Sequence, residues 1–156
     1  MKRVVVVGSA IVDVTTRSRA FRVVKSHQVE NGIALCEVYG GKMELDDVEL
    51  GVGGAGTNVA VGLARLGGLV TSIVRVGIDM FGEKVKEELV SEGVDVSMVQ
   101  DDDDKRPGVS VILVAGDGGR SIMTYRGASS LIEGERIDFA KVASADWIQI
   151  SSLGGR

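Results

Sequence analysis

One glycine-rich run has the residue types that bind a polar ligand through the main chain. The run Gly51–Gly56 leads into Val59–Leu66, where apolar residues recur at helical spacing. Glycine has no Cβ, so a ligand can approach its backbone N–H groups closely, and a helix starting there adds the positive end of its dipole. Asn58 places a side-chain amide beside this backbone. The run therefore predicts a binding site for a polar ligand.

The same run also fits a different kind of site. Gly51, Gly53 and Gly56 satisfy the G-x-G-x-x-G spacing of dinucleotide-binding folds. That fingerprint follows a buried strand, whereas the preceding residues 43–50 carry four carboxylates. Arg75 stands about where the ribose-binding acid is expected, so only an NADP-binding variant remains open. We keep an NADP-binding Rossmann domain as an unfavoured alternative.

The order of several motifs resembles the ribokinase-like (PfkB) carbohydrate kinases over essentially the whole chain. Gly53–Gly67 resembles the first signature of that family, and Val4–Asp13 resembles its first strand with a sugar-binding aspartate. Gly77–Gly82 resembles the element before its second helix, while Arg106–Val109 and Gly118–Ala128 resemble its paired strands and the turn that follows. The resemblance implies an α/β, Rossmann-like three-layer fold of the ribokinase type, partial in this chain, with a small β-flap lid.

The resemblance also implies a chemistry, the transfer of phosphate from ATP to a sugar or nucleoside hydroxyl with Mg²⁺ as the metal. The positions that match the sugar site of the family are Asp13, Asn58 and the main chain of Gly53 and Gly54. Arg126 is a further candidate for contact with the substrate or its phosphate. The structural alternatives are a strand-end turn for Asp13, a helix cap for Asn58 and a surface role for Arg126.

Two positions depart from the pattern of the ribose-specific members. Ile11 stands where those members carry an asparagine, and Ala55 stands where they carry a lysine. Ribose is therefore not favoured as the substrate. A nucleoside, a deoxy sugar, or a substrate that approaches from another side all remain open.

The second signature of the family, Asp-Thr-Gly-Ala-Gly-Asp, does not occur in the 156 residues. In the family, that part supplies the catalytic base, the anion hole and most of the ATP site. We therefore expect residues 1–156 to be the N-terminal, substrate-binding part of a kinase domain, with no catalytic residue and no turnover of its own. The alternative class is a non-catalytic module that binds a sugar or dimerises.

Composition excludes several other functions. The net charge of −4 and the scattered basic residues argue against a phosphate-backbone partner. The only cysteine, Cys36, cannot form an internal disulfide, and the only histidine, His27, excludes a histidine-cluster metal site. There is no apolar stretch long enough for a membrane helix or a signal peptide. We expect a cytoplasmic location and one domain over residues 1–156.

Hydrophobic periodicity predicts alternating strands and helices. Asp79 stands where the second helix would need an N-cap, and Gly93 stands where that helix would end. The predicted helices lie near residues 55–67, 82–92 and 135–143, and the predicted strands near residues 3–8, 33–38, 43–50, 69–75, 94–99, 109–115, 120–125 and 146–150.

Residues 33–50 interrupt this alternation, because two strand-like segments flank the turn Tyr39–Lys42. The pattern predicts a hairpin at about 33–50. In the resembled family such strands form a lid over the sugar and pair with the lid of another subunit, so a homodimer follows as a hypothesis. The alternative is a hairpin folded onto its own domain.

One acidic run could attract a cation. Residues Asp101–Lys105 read as a solvated loop, and consecutive carboxylates cannot all point inward to bind a metal. We therefore expect no metal site in this chain.

Overall fold

The computed structural model describes residues 1–153. Its helices are α1 (Ala55–Arg65), α2 (Met80–Ser91) and α3 (Phe139–Ala143). Its strands are β1 (Arg3–Val7), β2 (Ile11–Arg17), β3 (Arg22–Lys25), β4 (Ile33–Cys36), β5 (Asp47–Gly53), β6 (Leu69–Ile73), β7 (Arg75–Gly77), β8 (Gln100–Asp102), β9 (Gly108–Val114), β10 (Arg120–Tyr125) and β11 (Trp147–Ile150). Two 3-10 turns lie at Gly127–Ser130 and Gly134–Arg136.

The chain divides into two compact units. The first comprises residues 1–12, 52–109 and the chain from residue 125 onward, and the second comprises residues 13–51 and 110–124. The prediction of one domain over residues 1–156 stays a prediction. No helix among residues 1–153 combines the length and the apolar character that a membrane span needs.

The first unit is built on a parallel sheet in the order β11-β1-β6. The central strand β1 is a run of valines, as expected for a strand covered on both faces. Val4 and Val6 belong to a core cluster that includes residues of α1 and α2, whereas Val5 belongs to a second cluster with Ile73 and Met98. The edge strand β11 remains largely exposed.

The predicted ends of α2 are confirmed. Asp79 Oδ1 accepts hydrogen bonds from the backbone N–H groups of Phe81 (2.9 Å) and Gly82 (3.2 Å). Gly93 follows the helix with a φ of 76°, the left-handed conformation typical of a helix end. These caps fix the position of α2, whose Val85 and Leu89 are buried in the core.

Three sequence predictions for the first unit are wrong. Residues 94–99 do not form a strand, because Asp95 Oδ1 accepts from Ser97 N (2.8 Å) and turns the chain; only a single bridge links Asp95 to Thr71. The helix predicted at 135–143 is a 3-10 turn followed by the short α3, which Asp138 caps through Lys141 N. The acidic run is not a solvated loop throughout, because Asp102 belongs to β8 and is 2% exposed.

The second unit contains a four-stranded sheet in the order β10-β9-β2-β5 and the antiparallel pair β3-β4. The hairpin predicted at 33–50 is therefore wrong. Strand β4 pairs with β3, a strand that the sequence analysis missed, and β5 lies beside β2. The reason is Asp46, whose N–H donates to Arg17 O (2.8 Å) and whose side chain accepts from Arg19 N (2.8 Å). These bonds fix the start of β5 next to β2.

Asp95 joins three parts of the first unit and gives an acid-sensitive contribution to stability. Its Oδ2 accepts from Lys141 Nζ (2.6 Å) and Thr71 Oγ1 (3.1 Å). Partial burial raises the pKa of Asp95, but the hydrogen bonds from Lys141, Ser97 and Thr71 outweigh burial and lower the pKa from 3.8 to about 2. The carboxylate therefore stabilises the fold above pH 3.8, and this contribution is lost as the pH falls to 2.

We expect Asp95→Asn to lower the free energy of unfolding by about 1 kcal/mol at pH 6, a value discounted for the solvent exposure of the ion pair. At a pH near 2 the same substitution should cost much less, because the native carboxylate is then largely protonated. Urea denaturation at both pH values measures the difference, with Asp103→Asn on the exposed part of the acidic run as the control. An equal cost of Asp95→Asn at both pH values would contradict the assignment.

Candidate functional site

The glycine-rich run packs directly against the turn between β1 and β2. Gly54 has a φ of 97°, and a Cβ placed there would lie 2.5 Å from Ser9 O and 2.9 Å from the Cα of Ala10. A Cβ on Gly56 would lie 2.7 Å from the backbone of Gly8. These two glycines are therefore required by backbone packing, whereas the sequence suggested that they open the backbone to a ligand.

Ser9 completes the start of α1, and sequence reasoning missed it. Ser9 Oγ accepts from Ala55 N (3.2 Å), and Ser9 O accepts from Gly56 N (2.9 Å). The hydroxyl of Thr57 donates to the carbonyl groups of Gly53 and Gly54. Two N–H groups of the first helical turn are thus bonded within the protein. The signal that could have identified Ser9 is its place after a buried valine strand, where the chain turns.

Asn58 lies in the first turn and a half of α1 but does not cap the helix. The N-cap residue is Gly54, whose carbonyl accepts from Asn58 N (3.0 Å). The side chain of Asn58 is exposed and forms no hydrogen bond within residues 1–153. The capping alternative for Asn58 is therefore wrong, and its amide remains able to bind a ligand.

Gly108 lies between Ala10 and the turn that contains Arg126. A Cβ on Gly108 would lie 3.0 Å from both Ala10 O and Arg126 O, and 2.9 Å from Ser129 Oγ. Ala10 therefore packs against Gly54 of the glycine-rich run and against Gly108, and Gly108 in turn packs against the Arg126 turn. The side chain of Arg126 is exposed. Of the predicted site residues, Gly54 packs against Ala10, Ile11 follows Ala10 directly, and the Arg126 turn is linked to Ala10 through Gly108.

Asp13 belongs to the second unit. It lies on β2 two residues after Ile11, and alternate residues of a strand point to the same side. In its unit Asp13 lines a cavity of about 450 Å³ together with Thr15, Arg17 and Arg120. Asp13 is partly buried within a strand, so it is not a residue of a strand-end turn. Its role in sugar binding stays a prediction.

The described residues do not offer Mg²⁺ a set of ligands. Residues 1–153 contain no cluster of three or more His, Cys, Asp or Glu side chains arranged for a metal. In the acidic run, Asp102 is ion-paired with Arg75 (3.0 Å) and Asp101 with Lys86 (2.6 Å).

Comparison with known proteins decides the family. The profile described as "pfkB family carbohydrate kinase" matches residues 1–154. This chain is a member of the pfkB family. The family membership that the motif order predicted is thereby confirmed.

Among pfkB relatives, the chain is 35% identical over 101 residues to a fructokinase of Escherichia coli, which covers 65% of this chain and 33% of that protein. It is 45% identical over 69 residues to a 2-dehydro-3-deoxygluconokinase of Bacillus subtilis, covering 44% of this chain and 21% of the relative. The chain therefore spans about a third or less of these relatives.

A solved structure confirms the predicted fold class. A ribokinase of Cryptococcus neoformans, crystallised in complex with ADP, superposes with a TM-score of 0.71 at 25% identity. The superposition covers 96% of this chain and 42% of the ribokinase. The fold is therefore a partial ribokinase-type α/β fold, as the motifs predicted.

Proposed function

We propose that this chain is the N-terminal, substrate-binding part of an ATP-dependent kinase that phosphorylates a hydroxyl of a sugar or nucleoside. The main support is the packing of the glycine-rich run against residues 8–10, with Gly108 between Ala10 and the Arg126 turn, in a chain of the pfkB family. The relatives are described as kinases of fructose and of 2-dehydro-3-deoxygluconate. We place the protein in the cytoplasm.

Each proposed site residue has a chemical role that suits a polyol. The carboxylate of Asp13 accepts hydrogen bonds from vicinal hydroxyls, and the amide of Asn58 both donates and accepts. The main chain of Gly53 and Gly54 borders the substrate, and Ile11 offers it an apolar contact. Arg126 provides a positive charge for the substrate or its phosphate. A site of this kind rejects an analogue that lacks a hydroxyl, because its own polar groups would be left unpaired.

Transfer of the phosphate needs more than these residues. ATP with Mg²⁺ supplies the phosphoryl group, and we assign both to the second part of the kinase domain. The residues of this chain bind and orient the acceptor sugar, which is how a kinase gains much of its rate. We therefore propose that the 156 residues alone have no kinase turnover, and sugar phosphate formed by the purified chain would contradict this.

The sugar site is tested by ligand-induced stabilisation. A sugar present at a hundred times its dissociation constant should raise the free energy of unfolding by about 2.7 kcal/mol. We expect D-fructose, 2-deoxy-D-ribose or 2-dehydro-3-deoxy-D-gluconate to produce this effect, and Asp13→Ala to abolish it. Thermal unfolding with each sugar, and with purine and pyrimidine nucleosides, provides the measurement.

The matched control for this experiment is Asp103→Ala, which removes an exposed carboxylate of the acidic run. It should leave the stabilisation unchanged. If Asp103→Ala removes the stabilisation as well as Asp13→Ala, general charge is responsible and Asp13 is not a sugar ligand. If no sugar or nucleoside stabilises the native chain, the proposed substrate-binding function fails.

We also propose that two copies of the chain associate through the lid strands, the predicted segment at about residues 33–50, which contains β4 and the start of β5. Within the described residues, β5 and β10 are the two edges of the four-stranded sheet. Both edges carry large apolar side chains that are about half exposed, namely Val48, Leu50, Ile122 and Met123. Exposed edge strands with apolar side chains are ready templates for pairing with another chain.

A non-catalytic module is the second candidate function. The observation in its favour is the absence of the second family signature from the 156 residues. Such a module would bind a sugar or dimerise without phosphorylating anything. An NADP-binding domain is disfavoured, because the strand before the glycine-rich run, β5, is exposed and lies at the edge of the four-stranded sheet.

A further inference from the structure

One arginine of the first unit is buried and bound on three sides. The side chain of Arg75 is 10% exposed, and its Nε lies 3.0 Å from Asp102 Oδ2. Its Nη1 lies 2.5 Å from Glu133 Oε1 and donates to Leu131 O at 2.7 Å. Removing a charge from water is costly unless good partners replace the water, and Arg75 has such partners. We call Arg75, Asp102 and Glu133 the Arg75 cluster.

The Arg75 cluster holds the segment that precedes β9. Asp102 Oδ2 contacts Arg75, while its Oδ1 accepts from Asp104 N (3.0 Å) and Lys105 N (2.9 Å). Asp102 thereby fixes the turn that leads into Arg106 and Gly108. The orientation of this turn depends on Arg75, because the guanidinium holds the carboxylate that forms it.

The same arginine holds the segment that follows Arg126. Leu131 and Glu133, both bound by Arg75, come directly after the 3-10 turn Gly127–Ser130. Leu131 N in turn donates to Ala128 O (3.0 Å) within that turn. Arg75 therefore contacts both segments that flank the Arg126 turn.

The Arg126 turn has direct bonds to each of these two segments. Ala128 N donates to Arg106 O (2.9 Å), which joins the turn to the segment before β9. Ser129 Oγ donates to Arg126 O at 2.5 Å, and Ser129 N donates to the same oxygen at 3.1 Å. Through Ala128, the Arg126 turn is thus bonded to Arg106 on one side and to Leu131 on the other.

Residues 131–133 are bound to the rest of the first unit even without Arg75. Gln100 already binds Glu133 through two hydrogen bonds, from Gln100 Nε2 to Glu133 O and from Glu133 N to Gln100 Oε1, each 2.8 Å. What the guanidinium adds is a link between the two segments, because its Nη1 donates to Leu131 O (2.7 Å) and its Nε forms an ion pair with Asp102 (3.0 Å) without a hydrogen bond. A lysine at this position would keep the charge, but its single nitrogen could not make both contacts in the same way.

We propose that Arg75 is a positioning residue, which orients the Arg126 turn so that the Arg126 side chain can contact the substrate. This inference rests on the proposed function, in which Arg126 binds the sugar or its phosphate. Arg75 itself is buried behind the turn and does not contact the substrate. Its effect on binding is therefore transmitted entirely through Arg126.

A double-mutant comparison of sugar affinity tests the proposal. Calorimetry gives the dissociation constant of the probe sugar, D-fructose or 2-dehydro-3-deoxy-D-gluconate, for four chains: native, Arg75→Lys, Arg126→Ala and the double variant. We expect Arg75→Lys to weaken binding about tenfold in the native background and to have no further effect when Arg126 is already alanine. Arg65→Lys is the control, because it alters a comparable arginine–glutamate contact on the surface and should leave affinity unchanged.

An equal loss of affinity in both backgrounds would show that Arg75 acts through general stability, and no loss in either background would overturn the proposal directly. A second measurement does not need a sugar. We expect the amides of Ala128, Ser129 and Leu131 to exchange hydrogen about tenfold faster in Arg75→Lys, while the amides of α1 keep their native rates. If the native chain binds no sugar and no nucleoside, the proposed function fails, and unchanged exchange at these three amides would overturn the role of Arg75 separately.

Discussion

Gly54→Ala is expected to lower the free energy of unfolding by about 3–5 kcal/mol, because strain from positive φ and a backbone clash add together. The φ of 97° is a conformation that residues with a Cβ rarely adopt. The added Cβ would also lie 2.5 Å from Ser9 O, and a backbone oxygen cannot move aside as a flexible side chain can. The turn Gly8–Ala10 and the start of α1 would have to separate.

This loss is a large fraction of the stability of a small protein, which is about 5–15 kcal/mol. It should also remove sugar binding, since Gly54 is a proposed site residue and its backbone packs against Ser9 and Ala10. Urea denaturation measures the stability, and the thermal assay with sugars measures the binding. A Gly54→Ala chain with native stability would mean that the glycine-rich run does not pack against residues 8–10 as described.

Gly62→Ala is the matched control. Gly62 lies on the exposed face of α1, where an added Cβ meets no atom within 4 Å. Replacing a glycine inside a helix with alanine should raise the stability by about 0.5–1 kcal/mol. The two substitutions, eight residues apart, are expected to change the free energy of unfolding in opposite directions. The comparison therefore distinguishes the backbone conformation and packing of Gly54 from the general effect of replacing a glycine.

The sequence predicted best where a local rule acts alone. The run Val4–Val7 predicts a buried parallel strand, and the structure places it at the centre of the parallel sheet. Asp79 and Gly93 predict the ends of α2, because capping depends only on neighbours along the chain. The order of the motifs predicted the family, which the family profile confirms over residues 1–154.

The sequence predicted poorly where partners are distant along the chain. Strand β5 looked like the partner of β4, but the bonds of Asp46 to Arg17 and Arg19 place it beside β2. Asp102 looked solvated within its acidic run, but Arg75, 27 positions earlier, neutralises it in the interior. Hydrophobic periodicity contains no signal for either pairing, because both depend on polar contacts made in the folded state.

The candidate site was predictable only in part, because some of its contacts join residues that are distant along the chain. The glycines and Asn58 stand out by residue type, and Arg126 stands out by the turn that it begins. Ser9 is indicated only by its place after a buried strand, and the role of Ala10 was not predictable from its residue type. Only the folded backbone shows that Ala10 contacts both Gly54 and Gly108.

Leu50→Arg is expected to convert a dimer of this chain into a monomer, if copies associate through the lid strands as proposed. Leu50 lies on the edge strand β5 and is 49% exposed. In a dimer its side chain would be covered, and two arginines facing each other would repel and lose water. A penalty of about 3 kcal/mol or more raises the dissociation constant at least about a hundredfold.

The competing interface is the edge of the parallel sheet, where β11 carries Trp147 and Ile150, and Ile150 is 65% exposed. Ile150→Arg introduces the same charge at that edge and is therefore the matched variant. Sedimentation velocity over a range of concentrations measures association for the native chain and both variants. If Leu50→Arg yields monomers and Ile150→Arg does not, the second unit forms the dimer. The reverse result would place self-association at β11 and would overturn the lid dimer.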